Sequence, residues 1–193
     1  MQIIFGHGGD LVKQKLCCNN VSWVEQTEQL GTGHAVQQAA PGIKDDEVVL
    51  ILYGDVPLLT GDTLSCLVSE VNNSTLALLT VTLDNPSGYG RIVRNEHGKV
   101  LRIVEHKDAT DIEKEIQEIN TGILAVKGKL IKRWLQQLQS NNAQGEYYLT
   151  DIIAMAVEDG VTVSTQSPTS EIEILGVNDK KQLAFLERVF QQR

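Results

Sequence analysis

An unbroken apolar run, Val48-Val49-Leu50-Ile51-Leu52, stops at Tyr53-Gly54-Asp55. A carboxylate placed directly after such a strand faces the cleft of an open α/β sheet, where ligands collect beyond the carboxyl ends of the strands. It suits Mg2+, a hard cation that takes one or two protein carboxylates and completes its shell with phosphate and water. Gly-Asp after a strand is equally a turn signal, and the local pattern leaves both readings open. His7, His34, His97 and His106 lack ligand-like spacing and are expected to be structural or solvent-exposed, so no catalytic histidine is expected. Tyr147 and Tyr148 are expected to pack against the sheet and close one side of a pocket. Cys17, Cys18 and Cys66 form no C-x-x-C pair, and their odd number leaves at least one unpaired, which fits a reducing cytoplasm. Cys17 and Cys18 read as small side chains late in a first helix.

These residues need a scaffold, and the periodicity of the chain supplies an α/β one. Ile3-Ile4-Phe5 is a strand, Gly6-His7-Gly8-Gly9 a turn, and Asp10 a cap for a helix to about Leu16. A strand is expected over 21–25, a helix over 34–40 closed by Pro41-Gly42, a central parallel strand covered on both faces over 48–52, a helix over 60–71 and a strand over 76–83. The second half changes character. A turn-rich stretch over 84–90 leads to an antiparallel hairpin of 91–94 and 100–105, a strand over 119–126, a helix over 130–138, a polar loop over 140–145 and a helix over 146–158. Strands near 161–165 and 171–175 precede a last helix capped by Asp179. The sheet is therefore expected to be mixed and mostly parallel.

At 193 residues and 41% hydrophobic, the chain can bury one sizeable core. Seventeen basic against 25 acidic residues give a net charge of −8, which argues against nucleic acid or an anionic membrane as the partner. An anionic substrate must then be met by a metal ion or by local positive charge. No apolar run reaches the length of about 18 residues that a membrane span requires, and the amino terminus lacks a basic segment followed by an apolar one. No internal repeat is present, in particular no hexapeptide period of a left-handed β-helix.

Gln26-x-x-x-Leu30-Gly31-Thr32-Gly33-His34-Ala35 and Leu52-Tyr53-Gly54-Asp55-Val56-Pro57-Leu58 resemble the sugar-1-phosphate nucleotidyltransferases. Gly88-Tyr89-Gly90-Arg91-Ile92, Ile103-Val104-Glu105-His106-Lys107-Asp108-Ala109, Glu118-Ile119-Asn120-Thr121-Gly122 and Asn141-Asn142-Ala143-Gln144-Gly145-Glu146-Tyr147-Tyr148-Leu149-Thr150-Asp151 narrow the resemblance. Together they are similar to the bacterial N-acetylglucosamine-1-phosphate uridylyltransferases, the first half of bifunctional proteins whose second half is a glucosamine-1-phosphate acetyltransferase. The resemblance implies a Rossmann-like nucleotide-diphospho-sugar transferase fold in one domain, with residues 1–83 as its nucleotide-binding part and 84–193 as its sugar-binding part and terminal helix. It implies Mg2+-assisted in-line transfer from UTP to N-acetylglucosamine-1-phosphate, giving UDP-N-acetylglucosamine and pyrophosphate without a general base. The setting it implies is the cytoplasm, in cell wall biogenesis through peptidoglycan and lipopolysaccharide synthesis.

Matched position by position, Gln26, Gly31 and Thr32 fall where the family reads uracil. Tyr53 and Gly54 lie along the nucleotide, Asp55 and Asn178 are the metal ligands, and Gly90, Glu105, Asn120 and Thr150 meet the sugar. By residue type alone, Asn178 is a polar residue ahead of a helix, Glu105 a strand-end charge, Asn120 a strand partner and Thr150 a helix residue bonded to its own backbone. The family opens with a strand and a loop of the type Leu-Ala-Ala-Gly-x-Gly-Thr-Arg-Met, followed by Pro-Lys, which holds the triphosphate. That run does not occur in this sequence, nor does the acetyltransferase β-helix with the trimer it builds. These residues alone are therefore expected to turn over weakly or not at all, with the neighbours of the first strand left unpaired. Two other readings stay open: a non-catalytic module that binds a UDP-sugar, and a nucleotidyltransferase for dTTP and glucose-1-phosphate.

Overall fold

The computed structural model describes residues 1–16 and 20–193, so the expectation for Cys17 and Cys18 lies outside the described residues. Strands and helices alternate in the first half as β1 (Gln2–Phe5), α1 (Gly9–Lys15), β2 (Ser22–Glu25), α2 (Thr32–Ala39), β3 (Val48–Ile51), α3 (Gly61–Ser69) and β4 (Thr75–Thr82). The second half adds β5 (Arg91–Arg94), β6 (Val100–Val104), the short α4 (Asp111–Lys114), β7 (Glu118–Lys127), α5 (Gly128–Leu135), α6 (Asp151–Glu158), β8 (Thr162–Gln166) and α7 (Lys180–Gln191). β1 and β2 pair in parallel as a separate ribbon. The other six strands form one sheet along the path β6-β5-β7-β4-β8, with β3 also on β7.

β7 runs antiparallel to β3, β4 and β5, while β8 is parallel to β4 and β6 antiparallel to β5. β3, β4, β5 and β8 thus share one direction against β6 and β7, which is the mixed sheet expected. β4 pairs along one edge of β7, and β3 and β5 divide the other edge between them. β3 pairs with Leu124 to Lys127, and β5 meets β7 at Ile119. The two strands therefore converge on Asn120-Thr121-Gly122 from opposite ends, and an open α/β sheet offers a ligand crevice at such a junction.

Alternation along β4 explains the two-sided core. Leu76 and Leu78 face α5 and α6 through Ile131, Trp134, Leu135, Ile152 and Ile153. Ala77, Leu79 and Val81 face α3 and the segment after β8 through Leu67 and Ile174. No helix among the described residues is long and apolar enough to cross a membrane.

Four local expectations are corrected. β3 is partly exposed along its length and pairs only with β7 among the described residues, so it is not a covered central strand. Asp10 lies inside the first turn of α1, behind Gly8, and makes no cap. The helix expected from Glu146 starts at Asp151, because the backbone of Tyr147 and Leu149 is already bonded to the Leu30–Gly33 turn. The strand expected over 171–175 is a 3-10 turn, Glu171–Ile174, capped by the Ser170 hydroxyl accepting from the Ile172 N–H.

Glu173 explains that last difference. It is 2% exposed, and its Oε2 accepts from the Thr60 N–H at 3.1 Å, the Thr60 hydroxyl at 2.8 Å and the Thr63 hydroxyl at 2.7 Å. Burial works against its charge, yet the hydrogen bonds from Thr63 and Thr60 outweigh it and hold the carboxyl below the ordinary glutamate range. A depressed native pKa stabilises the fold above the unfolded value, and the contribution is lost as pH falls through the native one. Glu173→Ala is expected to cost about 2–3 kcal/mol in urea unfolding at neutral pH, since it strands buried donors. The difference from the parent should shrink in acid; a deficit that stays constant with pH would contradict a charged role.

Candidate active site

The Asn120–Gly122 junction carries the chemistry. Gly122 has φ 79°, and a Cβ there would lie 1.9 Å from Tyr53 Cε2, so only glycine lets the Tyr53 ring lie across β7. Around the junction opens a cavity of about 350 Å³, lined among others by Thr32, Tyr53, Asp55, Gly90, Glu105, Asn120, Thr150 and Asn178. Gln26, Gly31 and Gly54 are outside that lining. A second hollow of about 430 Å³ between α2 and α5, lined by Gln37, Ala40, Pro41, Lys132, Leu135 and Gln136, contains no carboxylate.

One end of the first cavity is polar and acidic. The Thr150 hydroxyl donates to Glu105 Oε1 at 2.9 Å and makes no cap bond to α6, so it is not bonded to its own backbone. Glu105 is desolvated, and despite that hydrogen bond its carboxyl is raised above the ordinary value, with the Asp108 charge adding to the rise. Asp151 is raised for the same reasons, burial first and then the charges of Glu105 and Asp108. Asn120 gives its backbone N–H to the Gly90 carbonyl and accepts from the Gly122 N–H on Oδ1, each at 2.9 Å. Its carboxamide N–H2 has no acceptor among the described residues.

Asp55 lies toward the other end. Its carbonyl accepts from the Val177 N–H at 2.9 Å, which ties the Gly176–Asn178 turn to the end of β3. Neither the Asp55 carboxylate nor the Asn178 carboxamide has a hydrogen-bond or ion-pair partner among the described residues. Two free oxygen donors of this kind fit Mg2+. No group of three or more His, Cys, Asp or Glu among the described residues could hold a metal ion, so phosphate and water would complete the shell. Packing of Tyr53 raises its phenol above the ordinary value, helped by the charges of Glu105 and Asp55.

The turn before α2 is held from two sides. Gly31 has φ 110°, and a Cβ would come within 2.7 Å of the Tyr147 carbonyl. Gln26 Nε2 lies 3.0 Å from Gly31 O and 3.1 Å from His34 Nδ1. The structure thus brings Thr32 and seven other expected residues around one cavity and places Gln26 and Gly31 just behind it. Gly122 was missed, although a glycine inside a strand signals a close backbone approach. Glu173 was also missed, as was the buried Arg91, whose guanidinium bonds to the Tyr89 carbonyl and so supports the Gly88–Gly90 loop.

The nucleotidyl transferase family model matches residues 9–169. This chain belongs to the nucleotidyl transferase family. The chain is 57% identical over 190 residues to the bifunctional protein GlmU of Marinobacter nauticus, covering 98% of this chain and 42% of that protein. It is 56% identical over 189 residues to the GlmU of Methylococcus capsulatus, covering 98% and 41%. The chain therefore spans about two fifths of the length of these curated relatives. A UDP-glucose pyrophosphorylase solved with UDP-glucose superposes with TM-score 0.73 at 13% identity, over 100% of this chain and 81% of that one. HddC from Yersinia pseudotuberculosis superposes with TM-score 0.65 at 16% identity, over 98% and 77%. At such identities these two structures show a shared nucleotidyl transferase fold.

A raised Glu105 means that the folded state keeps a proton which the unfolded chain has released, so stability falls as pH rises from the ordinary glutamate range through the raised native value. Glu105→Gln keeps an acceptor for Thr150 and removes that cost. It is expected to be more stable than the parent at about pH 8 and equal to it at about pH 4 in thermal unfolding. A uniform loss at both pH values would contradict this.

Proposed function

We propose that this cavity binds UTP and N-acetylglucosamine-1-phosphate and releases UDP-N-acetylglucosamine and pyrophosphate, the work of a UDP-N-acetylglucosamine diphosphorylase. The observation that carries the reading is the pairing, in one cavity, of free oxygens on Asp55 and Asn178 with the Glu105–Thr150–Asn120 polar group beside it. A cavity of about 350 Å³ with a few convergent polar groups is what orients a small polar ligand.

On this reading residues 1–83 hold the nucleotide and 84–193 the sugar. Gln26, Gly31 and Thr32 face the uracil, while Tyr53 and Gly54 run along the nucleotide. Glu105 accepts from a sugar hydroxyl, and Gly90, Asn120 and Thr150 direct the acetamido group and the remaining hydroxyls. Asp55 and Asn178 hold Mg2+, which supplies neutralisation of the phosphate charges. The acceptor phosphate is already anionic, so no side chain needs to remove a proton from it. The protein aligns that oxygen with the α-phosphorus and excludes water, and alignment of this kind supplies much of the rate. The reaction places the chain in the cytoplasm, at the supply of an activated sugar for peptidoglycan and lipopolysaccharide. Its partners are nucleotide and sugar phosphate, with no nucleic acid or membrane.

Calorimetry with UDP-N-acetylglucosamine, with and without Mg2+, tests the reading on the folded chain. Asp55→Ala is expected to abolish the Mg2+ dependence of binding. Glu105→Ala is expected to weaken UDP-N-acetylglucosamine about 10-fold while leaving UDP unchanged. Tighter binding of dTDP-glucose would contradict the proposed specificity, while turnover of UTP and sugar phosphate by these residues alone is expected to be weak or absent.

A further inference from the structure

Among the described residues, His34 is the one histidine whose two ring nitrogens both meet side-chain amides, with Gln26 Nε2 at 3.1 Å from Nδ1 and Gln38 Nε2 at 3.0 Å from Nε2. A neutral ring carries a single hydrogen, so one nitrogen must accept and the other donate. The Gly31 carbonyl decides which. It can only accept, and the Gln26 atom 3.0 Å from it must therefore be the amide nitrogen. The two hydrogens of that nitrogen then go to Gly31 O and to His34 Nδ1. The competing contact is weaker, since Gln38 Nε2 lies 3.4 Å from the His34 carbonyl against 3.0 Å for Gln26 and Gly31. Nδ1 is therefore the acceptor, Nε2 carries the ring hydrogen, and the Gln38 carboxamide turns its oxygen toward it, giving up that longer contact.

The consequence falls on Gln26. Both of its amide hydrogens are engaged, and its Oε1, which has no donor among the described residues, is what remains for a ligand. The carbonyl that fixes this orientation cannot easily move, because Gly31 sits at φ 110° against the Tyr147 backbone and the Gly33 N–H bonds to Tyr147 O at 2.8 Å. Thr32, the next residue, lines the cavity. We propose that His34 is a positioning residue for base choice: it holds Gln26, just behind the cavity lining, so that the carboxamide presents only an acceptor beside the Gly31–Thr32 turn. An acceptor there matches the N3–H of a uracil-type imide and opposes cytosine, whose N3 is itself an acceptor. The Gly31 N–H, which has no acceptor among the described residues, is a donor for a neighbouring ring carbonyl. A site built around such a donor–acceptor pair rejects the base that inverts it, since a polar group is then left unpaired.

This inference rests on the proposed nucleotide site, and the experiment separates the two. Dissociation constants for UDP and for CDP are measured by calorimetry in Mg2+ for the full chain and for His34→Asn, His34→Gln and His34→Phe, with UDP-N-acetylglucosamine as a control. Asparagine places its carboxamide oxygen near the Nδ1 position, and glutamine reaches toward the Nε2 position. The parent and His34→Asn are expected to prefer UDP, whereas His34→Gln and His34→Phe should lose at least about 10-fold of that preference. If His34→Phe does not fold, the Asn and Gln pair decides. An unchanged UDP-to-CDP ratio in every folded variant, or equal loss in His34→Asn and His34→Gln, would overturn the role of His34 alone. A parent that binds neither UDP nor UDP-N-acetylglucosamine would remove the nucleotide site and this inference together.

Discussion

The Tyr147 N–H donates to the Leu30 carbonyl and the Gly33 N–H to the Tyr147 carbonyl, each at 2.8 Å, and the Leu149 N–H reaches the Thr32 hydroxyl at 3.1 Å. These bonds join residues more than a hundred positions apart into one short ladder, and the geometry of the cavity depends on it. They fix the turn that carries Thr32 against the segment that leads into Thr150, so these two cavity residues keep a set distance. They also hold Tyr147 and Leu149 out of α6 and place Gly31 where no side chain fits. Without the ladder, α2 and α6 would each still pack on the sheet, but nothing would register one against the other at the cavity.

β7 performs the matching task underneath. Its ten residues carry β3 at one end and β5 at the other, and the Asn120–Gly122 stretch between them becomes the floor of the cavity. Because β3 ends there, Tyr53 and Asp55 project beyond the sheet edge; because β5 begins there, Gly90 and the Arg91-supported loop arrive from the other side. The Glu173 network secures the third wall. By drawing the 3-10 turn against Thr60 and Thr63, it sets the height at which Gly176 and Asn178 pass Asp55. The acidic end of the cavity is held at some electrostatic cost, shown by the raised carboxyl of Glu105 and, outside the lining, that of Asp151, which is common where a site is shaped for a ligand and not for the fold alone.

Much of this was legible in the residues. The apolar run at β3, the hairpin of β5 and β6 and the Thr60 and Asp179 caps follow from local pattern, whereas the roles given to Asp55 and Glu105 come only from the family resemblance. What was not legible depends on partners distant in the chain. Nothing local to Glu146–Thr150 shows that its backbone is taken by the Leu30–Gly33 turn, so helical periodicity there misleads. Glu171 to Leu175 alternates like a strand, and only the hydroxyls of half-buried Thr60 and buried Thr63 draw Glu173 inward. β3 looks fully buried by composition, but burial is set by what stacks on each face. His34 reads as an isolated histidine until Gln26, Gln38 and the Gly31 carbonyl are placed around it.

One cavity is proposed to seat a nucleotide-sugar with its metal at the end of β3. A crystal structure of the chain soaked with UDP-N-acetylglucosamine and Mn2+, recorded at a wavelength where manganese scatters anomalously, tests it most directly. An anomalous peak bound by the Asp55 carboxylate and the Asn178 carboxamide oxygen is expected, with the sugar against Glu105 and Asn120. A peak away from both residues, or the ligand in the hollow between α2 and α5, would contradict it.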